Sequence, residues 1–201
     1  MLEKGLVLRS TGSWYDIRME DGSIYQARLR GKLRLKGLKV TNPVAVGDYV
    51  QFEIEDKEAK TAIISGIDKR QNYIIRQSVH RHHYGHILAA NIDYLVLIAT
   101  LSYPNTSTGF IDRFLVSAEA FRIPAVLVFN KADLLNEEEK EKQKKISQMY
   151  ESIGYPCYLI SALKDESLDK FENLLKNKKT LIAGHSGVGK STLIKPFASL
   201  E

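Results

Sequence analysis

The chain has 201 residues, 44% of them hydrophobic, with a formal net charge of +5 and one cysteine. That length carries one large domain or two small ones with packed cores; the longest apolar runs, Tyr94 to Thr100 and Ile123 to Phe129, fall far short of the roughly 20 residues of a membrane-spanning helix, and no cleavable signal pattern opens the sequence. Membrane and secretory classes drop out, and the lone Cys157, unable to form an internal disulfide or a thiolate cluster, fits a reducing cytoplasm as inert filler of an apolar strand.

Up to about Gly66 the pattern is one of short strands and turns. Gly5 to Arg9, Ser13 to Arg18, Ser23 to Arg28, Asp48 to Ile54 and Lys60 to Ile64 are β-like runs, and Asp21-Gly22 is a strong hairpin turn. Five such strands predict a small antiparallel barrel of the OB type over residues 1–67, a fold whose face and loops commonly bind oligonucleotides; an SH3-like barrel has a similar strand pattern. Arg28, Arg30, Lys32, Arg34, Lys36 and Lys39 crowd the third strand and the connection after it. Their summed positive potential attracts polyanions, which makes nucleic acid the expected partner and Arg28 to Lys36 the expected RNA contacts, against the alternative of a solvated basic face. Residues 68–90 hold Lys69, Arg70, Arg76 and Arg81 interleaved with His80, His82, His83 and His86. The run H-R-H-H-Y-G-H has no structural zinc spacing, so this stretch reads as a basic, histidine-rich linker.

From Asn91 strands and helices alternate. Tyr94 to Thr100 is a buried strand; Ile111, Phe114, Leu115, Ala118 and Phe121 then recur at helical spacing, and Pro124 ends that helix. Ala125 to Phe129 is the next strand, Asn136 with Glu139 forms a capping box, and Ile146, Met149, Tyr150 and Ile153 mark one face of the helix that it starts. Cys157 to Ile160, a short helix around Leu168, Phe171 and Leu175, and the strand Thr180 to Ala183 complete a second domain, residues 91–201. Such alternation predicts a parallel sheet with helices on both sides.

Three segments of this half carry chemistry. Gly184-His185-Ser186-Gly187-Val188-Gly189-Lys190-Ser191, followed by Thr192, satisfies G-x-x-x-x-G-K-[ST] directly after an apolar strand. Its glycines let successive backbone N–H groups turn toward phosphate oxygens, Lys190 reaches the β- and γ-phosphates as the catalytic cation, and the Ser191 hydroxyl ligates Mg²⁺. Asn130-Lys131-Ala132-Asp133 follows the strand ending at Phe129, where open parallel sheets bind ligands. A carboxylate at Asp133 can accept from guanine N1–H and the 2-amino group, which adenine does not offer; the competing use of such residues is a turn or helix cap. Ser161-Ala162-Leu163 follows the next strand, where a backbone N–H can meet guanine O6.

The order N-K-A-D, S-A-L, G-H-S-G-V-G-K-S-T behind a small basic barrel resembles the circularly permuted ribosome-biogenesis GTPases of the small-ribosomal-subunit-dependent GTPase A type (RsgA/YjeQ). R-G-K-L-R-L at Arg30 to Leu35, N-P-V-A-V-G-D at Asn42 to Asp48 and I-L-A-A-N-I-D at Ile87 to Asp93 extend the match over nearly the whole chain. The resemblance implies an RNA-binding OB domain joined to a GTPase domain, acting with GTP or GDP and Mg²⁺ on the small ribosomal subunit and its rRNA late in maturation. It also implies that Asn130, Lys131, Ala132 and Asp133 read guanine, that Ser161 and Ala162 support the base, and that Gly184 to Thr192 hold phosphates and Mg²⁺. His185 sits at a variable position of that loop and receives no catalytic part.

In that family a switch threonine, a D-x-x-G motif and a C-terminal zinc-binding domain follow the phosphate loop. No aspartate of this chain is followed three residues later by glycine, and Pro196 falls where a helix should run on. The expectation is a fragment of a longer GTPase, with zinc confined to the part not present and with negligible turnover by these residues alone. The family implies a monomer, while the open edges of an unfinished sheet invite association. Two other functions compete: a P-loop ATPase or small-molecule kinase, and a non-enzymatic RNA-binding module with a vestigial nucleotide fold.

Overall fold

Period-two burial builds the first half. In the strands Glu3–Ser10 (β1), Tyr15–Arg18 (β2), Ile24–Leu29 (β3), Tyr49–Asp56 (β4) and Thr61–Ile67 (β5), the buried side chains Val7, Tyr15, Ile17, Ala27, Val50, Phe52, Ala62 and Ile64 alternate with exposed or half-buried ones and share one core. The strands close into a barrel of order β1-β2-β3-β5-β4, β4 pairing back on β1. One pair, β3 with β5, is parallel, the crossing that distinguishes this OB-type barrel from a simple meander. These coordinates come from a computed structural model, which describes residues 2–31, 40, 42–77, 85–161 and 165–195. The chain divides into two compact units, Met1–Ile92 and Asp93–Glu201.

Residues 68–90, expected as a linker, carry an antiparallel ladder of Tyr73–Gln77 (β6) and Gly85–Ala90 (β7) within the first unit. Composition hid it: His86 and Leu88 are exposed while Ile87 and Ala89 are buried, so the polar content belongs to one side of a strand. A polar joint fastens this hairpin to the barrel. Arg70 donates to Asp48 Oδ1 and Oδ2 at 2.7 and 2.6 Å and to the Pro43 carbonyl at 2.6 Å, and Asp48 Oδ2 also accepts from Ala45 N at 2.8 Å. Asn91 Nδ2 donates to the Gly47 carbonyl, and Asn91 Oδ1 accepts from Gln71 N, each at 2.9 Å. The stretches N-P-V-A-V-G-D and I-L-A-A-N-I-D are the two sides of this joint.

The second unit alternates regularly. It runs Tyr94–Ala99 (β8), Thr108–Ala120 (α1), Ala125–Phe129 (β9), Glu137–Ser152 (α2), Cys157–Leu159 (β10), Asp165–Leu175 (α3), Thr180–Ala183 (β11) and Lys190–Ile194 (α4). All four strands are parallel, in the order β10-β9-β8-β11. Right-handed crossovers put α1 and α2 on one face of such a sheet and α3 on the other, because the third crossover runs in the opposite direction. Val96, Ile98, Val126 and Val128 pack with Phe171 of α3 and Leu193 of α4; Leu95, Leu97, Leu127 and Phe129 alternate with them. Tyr150 Oη of α2 donates to Asp112 Oδ1 of α1 at 2.8 Å.

The capping box forms as expected, Asn136 Oδ1 accepting from Glu139 N at 2.9 Å and Glu139 Oε2 from Asn136 N at 3.0 Å. The buried stripe of α2 differs from the expected one. Gln143, Ser147 and Tyr150 are buried, whereas Met149 and Ile153 are 47% and 64% exposed. The Tyr150 bond to α1 and a bond from Ser102 to Glu139 fix the helix rotation, and the apolar residues follow it. Cys157 is half-buried, and desolvation pushes its thiol up to about 12, which keeps it protonated and unreactive.

The Arg70–Asp48 pair is almost wholly withdrawn from water, at 9% and 0% side-chain exposure. Removing one partner leaves a buried charge without its counterpart, so Arg70→Ala should lower the stability of the first unit by about 3–5 kcal/mol. Urea unfolding monitored by Trp14 fluorescence reads this directly.

Candidate functional site

The sheet order reverses between β8 and β11, and ligands of open parallel sheets bind at the carboxyl ends of strands beside such a reversal. Gly184-His185-Ser186-Gly187-Val188-Gly189 leaves β11 at that place and ends on Lys190, the first residue of α4. Two glycines make the path possible. Gly184 has φ +150 and faces the Ile98 carbonyl, onto which any Cβ would fall; Gly189 has φ +93 and lies against Asn130 Nδ2 in the same way. Val188 is buried in the sheet core and anchors the loop from below, and Leu193 N donates to Gly189 O at 3.0 Å to close the first turn of α4. The loop crest, His185 to Gly187, is exposed.

Lys190 Nζ donates to the carbonyls of Gly184 at 2.9 Å and His185 at 2.6 Å, so the ammonium lies across its own loop. Ser191 and Thr192 are exposed on the first turn of α4. A single hydroxyl there suits Mg²⁺, which keeps several waters and takes most of its other ligands from phosphate. Pro196 lies outside the described residues.

Asn130 follows β9 and is 2% exposed. Its backbone N–H donates to Ala99 O at 2.9 Å, and its side-chain Nδ2 donates to Val188 O at 2.9 Å. Expected to read guanine, Asn130 thus has its amide engaged on the phosphate loop, where it fixes one motif to the other across 58 positions of sequence. Lys131 takes a left-handed conformation, φ +64, and its Nζ donates to the Tyr103 carbonyl at 2.7 Å. Ala132 N donates to Ile160 O at 3.3 Å, which joins the start of the 3-10 turn Ala132–Leu134 to the end of β10. Asp133, exposed in that turn, accepts at Oδ1 from Ser161 Oγ at 2.5 Å. Ser161 is buried, and its hydroxyl donates to that carboxylate. Ala162 lies outside the described residues. Thus Asn130, Lys131, Asp133 and Ser161 are linked to one another or to the phosphate loop and its neighbours, as one cluster.

Sequence reasoning missed the connection from β8 to α1. Its Tyr103 carbonyl holds Lys131, and Phe110 of α1 lies against His185, ring centroids 4.1 Å apart. No period or motif signals it, because its contacts run through carbonyls and one ring pair.

In the first unit, Arg28 and Arg30 are exposed and form ion pairs with Glu55 at 2.7 Å and Glu53 at 3.4 Å. Exposed pairs of this kind contribute little, about 0–1 kcal/mol, so both guanidinium groups can be recruited by a stronger anion. Lys32, Arg34 and Lys36 lie outside the described residues, as do His80, His82 and His83.

Comparison with known proteins matches two family models in sequence: one described as RsgA N-terminal domain over residues 4–64 and one described as RsgA GTPase over residues 67–200. Among curated relatives, the small ribosomal subunit biogenesis GTPase RsgA of Cytophaga hutchinsonii is 53% identical over 191 residues, which are 95% of this chain and 62% of that protein. The protein of the same description from Bacteroides fragilis is 51% identical over 95% of this chain and 61% of its own length. The chain therefore spans about three-fifths of the curated relatives that it matches. Among solved structures, YjeQ from Thermotoga maritima is similar with a TM-score of 0.80 and 31% identity, covering 99% of this chain and 66% of that one. YloQ, described as a circularly permuted GTPase, is similar with a TM-score of 0.73 and 30% identity over 96% and 63%.

Proposed function

This chain belongs to the RsgA GTPase family, and from that premise we propose that it binds GTP and GDP with Mg²⁺ as part of a GTPase serving the small ribosomal subunit. The observation that carries the reading is the bond from Asn130 to the Val188 carbonyl, which joins N-K-A-D and the glycine-rich loop in one cluster. In the proposed roles, Asp133, aligned by Ser161, accepts from the guanine edge, and Lys131 flanks the base. Backbone N–H groups from Gly184 to Gly189 and the Lys190 ammonium take the phosphates. The Ser191 hydroxyl would hold Mg²⁺, whose chemistry when bound is to neutralise charge on the phosphate oxygens.

The barrel is proposed to contact rRNA through Arg28 and Arg30 and the basic run that continues through Lys32, Arg34 and Lys36. Exchange of Glu53 or Glu55 for a phosphate costs each arginine little, which supports this use of the strand. Among the described residues no helix is long and apolar enough to cross a membrane, and a cytoplasmic site of action is part of the same proposal. These 201 residues contain no D-x-x-G, so their own share of the work is proposed to be nucleotide binding with little turnover. GTP hydrolysis by the purified chain that vanishes in Lys190→Ala would contradict that share.

Calorimetric titration of the purified chain tests the nucleotide reading. GDP should bind at least tenfold more tightly than ADP. Asp133→Ala should weaken GDP binding at least tenfold and leave ADP unchanged, since each charge-assisted bond to guanine contributes about 1.5–3 kcal/mol. Equal affinity for the two nucleotides would rule the reading out. For the barrel, Arg28→Glu with Arg30→Glu should weaken rRNA binding and flatten its dependence on salt; an unchanged salt slope would assign the RNA contacts elsewhere.

A further inference from the structure

Between β8 and α1 the chain makes a short, heavily pinned connection. Thr106 N donates to Thr100 O at 2.8 Å, and Thr100 Oγ1 donates to the Pro104 carbonyl. Ser107 Oγ accepts from Phe110 N at 3.3 Å and caps α1. Ser102 Oγ donates to Glu139 Oε1 at 2.5 Å, which ties the connection to the capping box of α2. The segment is held at both ends and in the middle by groups outside the nucleotide motifs.

Fixed in this way, the connection and the first turn of α1 approach those motifs at three points. Its Tyr103 carbonyl accepts from Lys131 Nζ at 2.7 Å. Pro104 Cδ lies 3.5 Å from the position that a Cβ on Gly187 would take. Phe110 pairs with His185, centroids 4.1 Å apart and planes inclined by 49°. The peptide of His185 supplies one of the two carbonyls that hold the Lys190 ammonium, at 2.6 Å, so a ring pair that fixes His185 also fixes where Lys190 rests.

We propose that the β8–α1 connection together with the first turn of α1 is a bracket that holds the phosphate loop in the shape that accepts nucleotide phosphates, with Phe110 and His185 as its positioning residues. The proposal rests on the reading of this cluster as a guanine-nucleotide site and adds a determinant of its affinity. The bracket grips the guanine side through Lys131 and the phosphate side through His185. A disturbance at either end is therefore felt at the other through one short segment. Neither ring touches the reacting atoms; both act through the backbone that orients Lys190.

The test is a cycle of variants titrated with GDP: Phe110→Tyr, Phe110→Leu, His185→Ala, and Phe110→Leu combined with His185→Ala, each with its melting temperature. His185 is exposed, so its replacement spares the core. An aromatic pair adds enough beyond its buried area to change a dissociation constant by about threefold to tenfold. Phe110→Tyr should keep the parent affinity, Phe110→Leu and His185→Ala should each lose about threefold to tenfold, and the double variant should lose no more than either single one. Losses that add in the double variant, or a leucine variant as tight as the tyrosine one, would overturn the bracket and leave guanine binding intact. A parent chain that does not prefer GDP over ADP would overturn the guanine reading, and the bracket with it.

Discussion

A single side-chain amide organises the second unit. Asn130 Nδ2 donates to the carbonyl of Val188, a residue whose own side chain is packed in the sheet core, and Gly189 must lack a Cβ because that amide occupies its place. An unpaired carbonyl at this depth costs about 1–3 kcal/mol, so the bond is maintained against the loop's freedom to open. Through it the end of β9 and the end of β11 become one surface. The other contacts extend the same cluster: Ser161 aligns Asp133, Tyr103 restrains Lys131, and the loop's own carbonyls hold Lys190.

The order of motifs along the chain is immaterial to this surface. Strands β8, β9 and β11 are hydrogen-bonded neighbours in the sheet whether the phosphate loop comes first or last, because pairing depends on register and handedness and not on where the chain is opened. The reversal of strand order beside β8 sets the crevice, and the two loops that flank it carry complementary chemistry, a carboxylate on one and a lysine with exposed backbone on the other. The barrel obeys a similar rule. Its closure needs β3 and β5 side by side in parallel, and the chain meets that need by sending β4 across to β1 first.

Much of this was legible in the sequence, for identifiable reasons. Continuous apolar runs announced β8 and β9, since strands covered on both faces need no alternation. Asn136 and Glu139 announced the start of α2 because a capping box is a purely local device. What escaped the sequence depended on contacts between distant residues. The stripe of α2 turned toward Gln143 and Ser147 because Tyr150 reaches Asp112 of another helix. The hairpin of β6 and β7 was obscured by basic residues, and Asp48 was read only as part of a family stretch although Arg70, 22 positions away, is its buried partner. Asn130 was legible as part of N-K-A-D, but its bond to the Val188 carbonyl was not. The ring of Phe110 against His185 left no trace in period or composition.

The most direct test of a site assembled before nucleotide arrives is a pair of crystal structures of the chain, with and without GDP and Mg²⁺. The bond between Asn130 and Val188 should be present in both, residues 184–190 should differ by no more than about 1 Å, and the guanine edge should meet Asp133 while the phosphates lie within the loop. A loop rebuilt on binding, with that bond formed only in the complex or the base turned away from Asp133, would contradict the account.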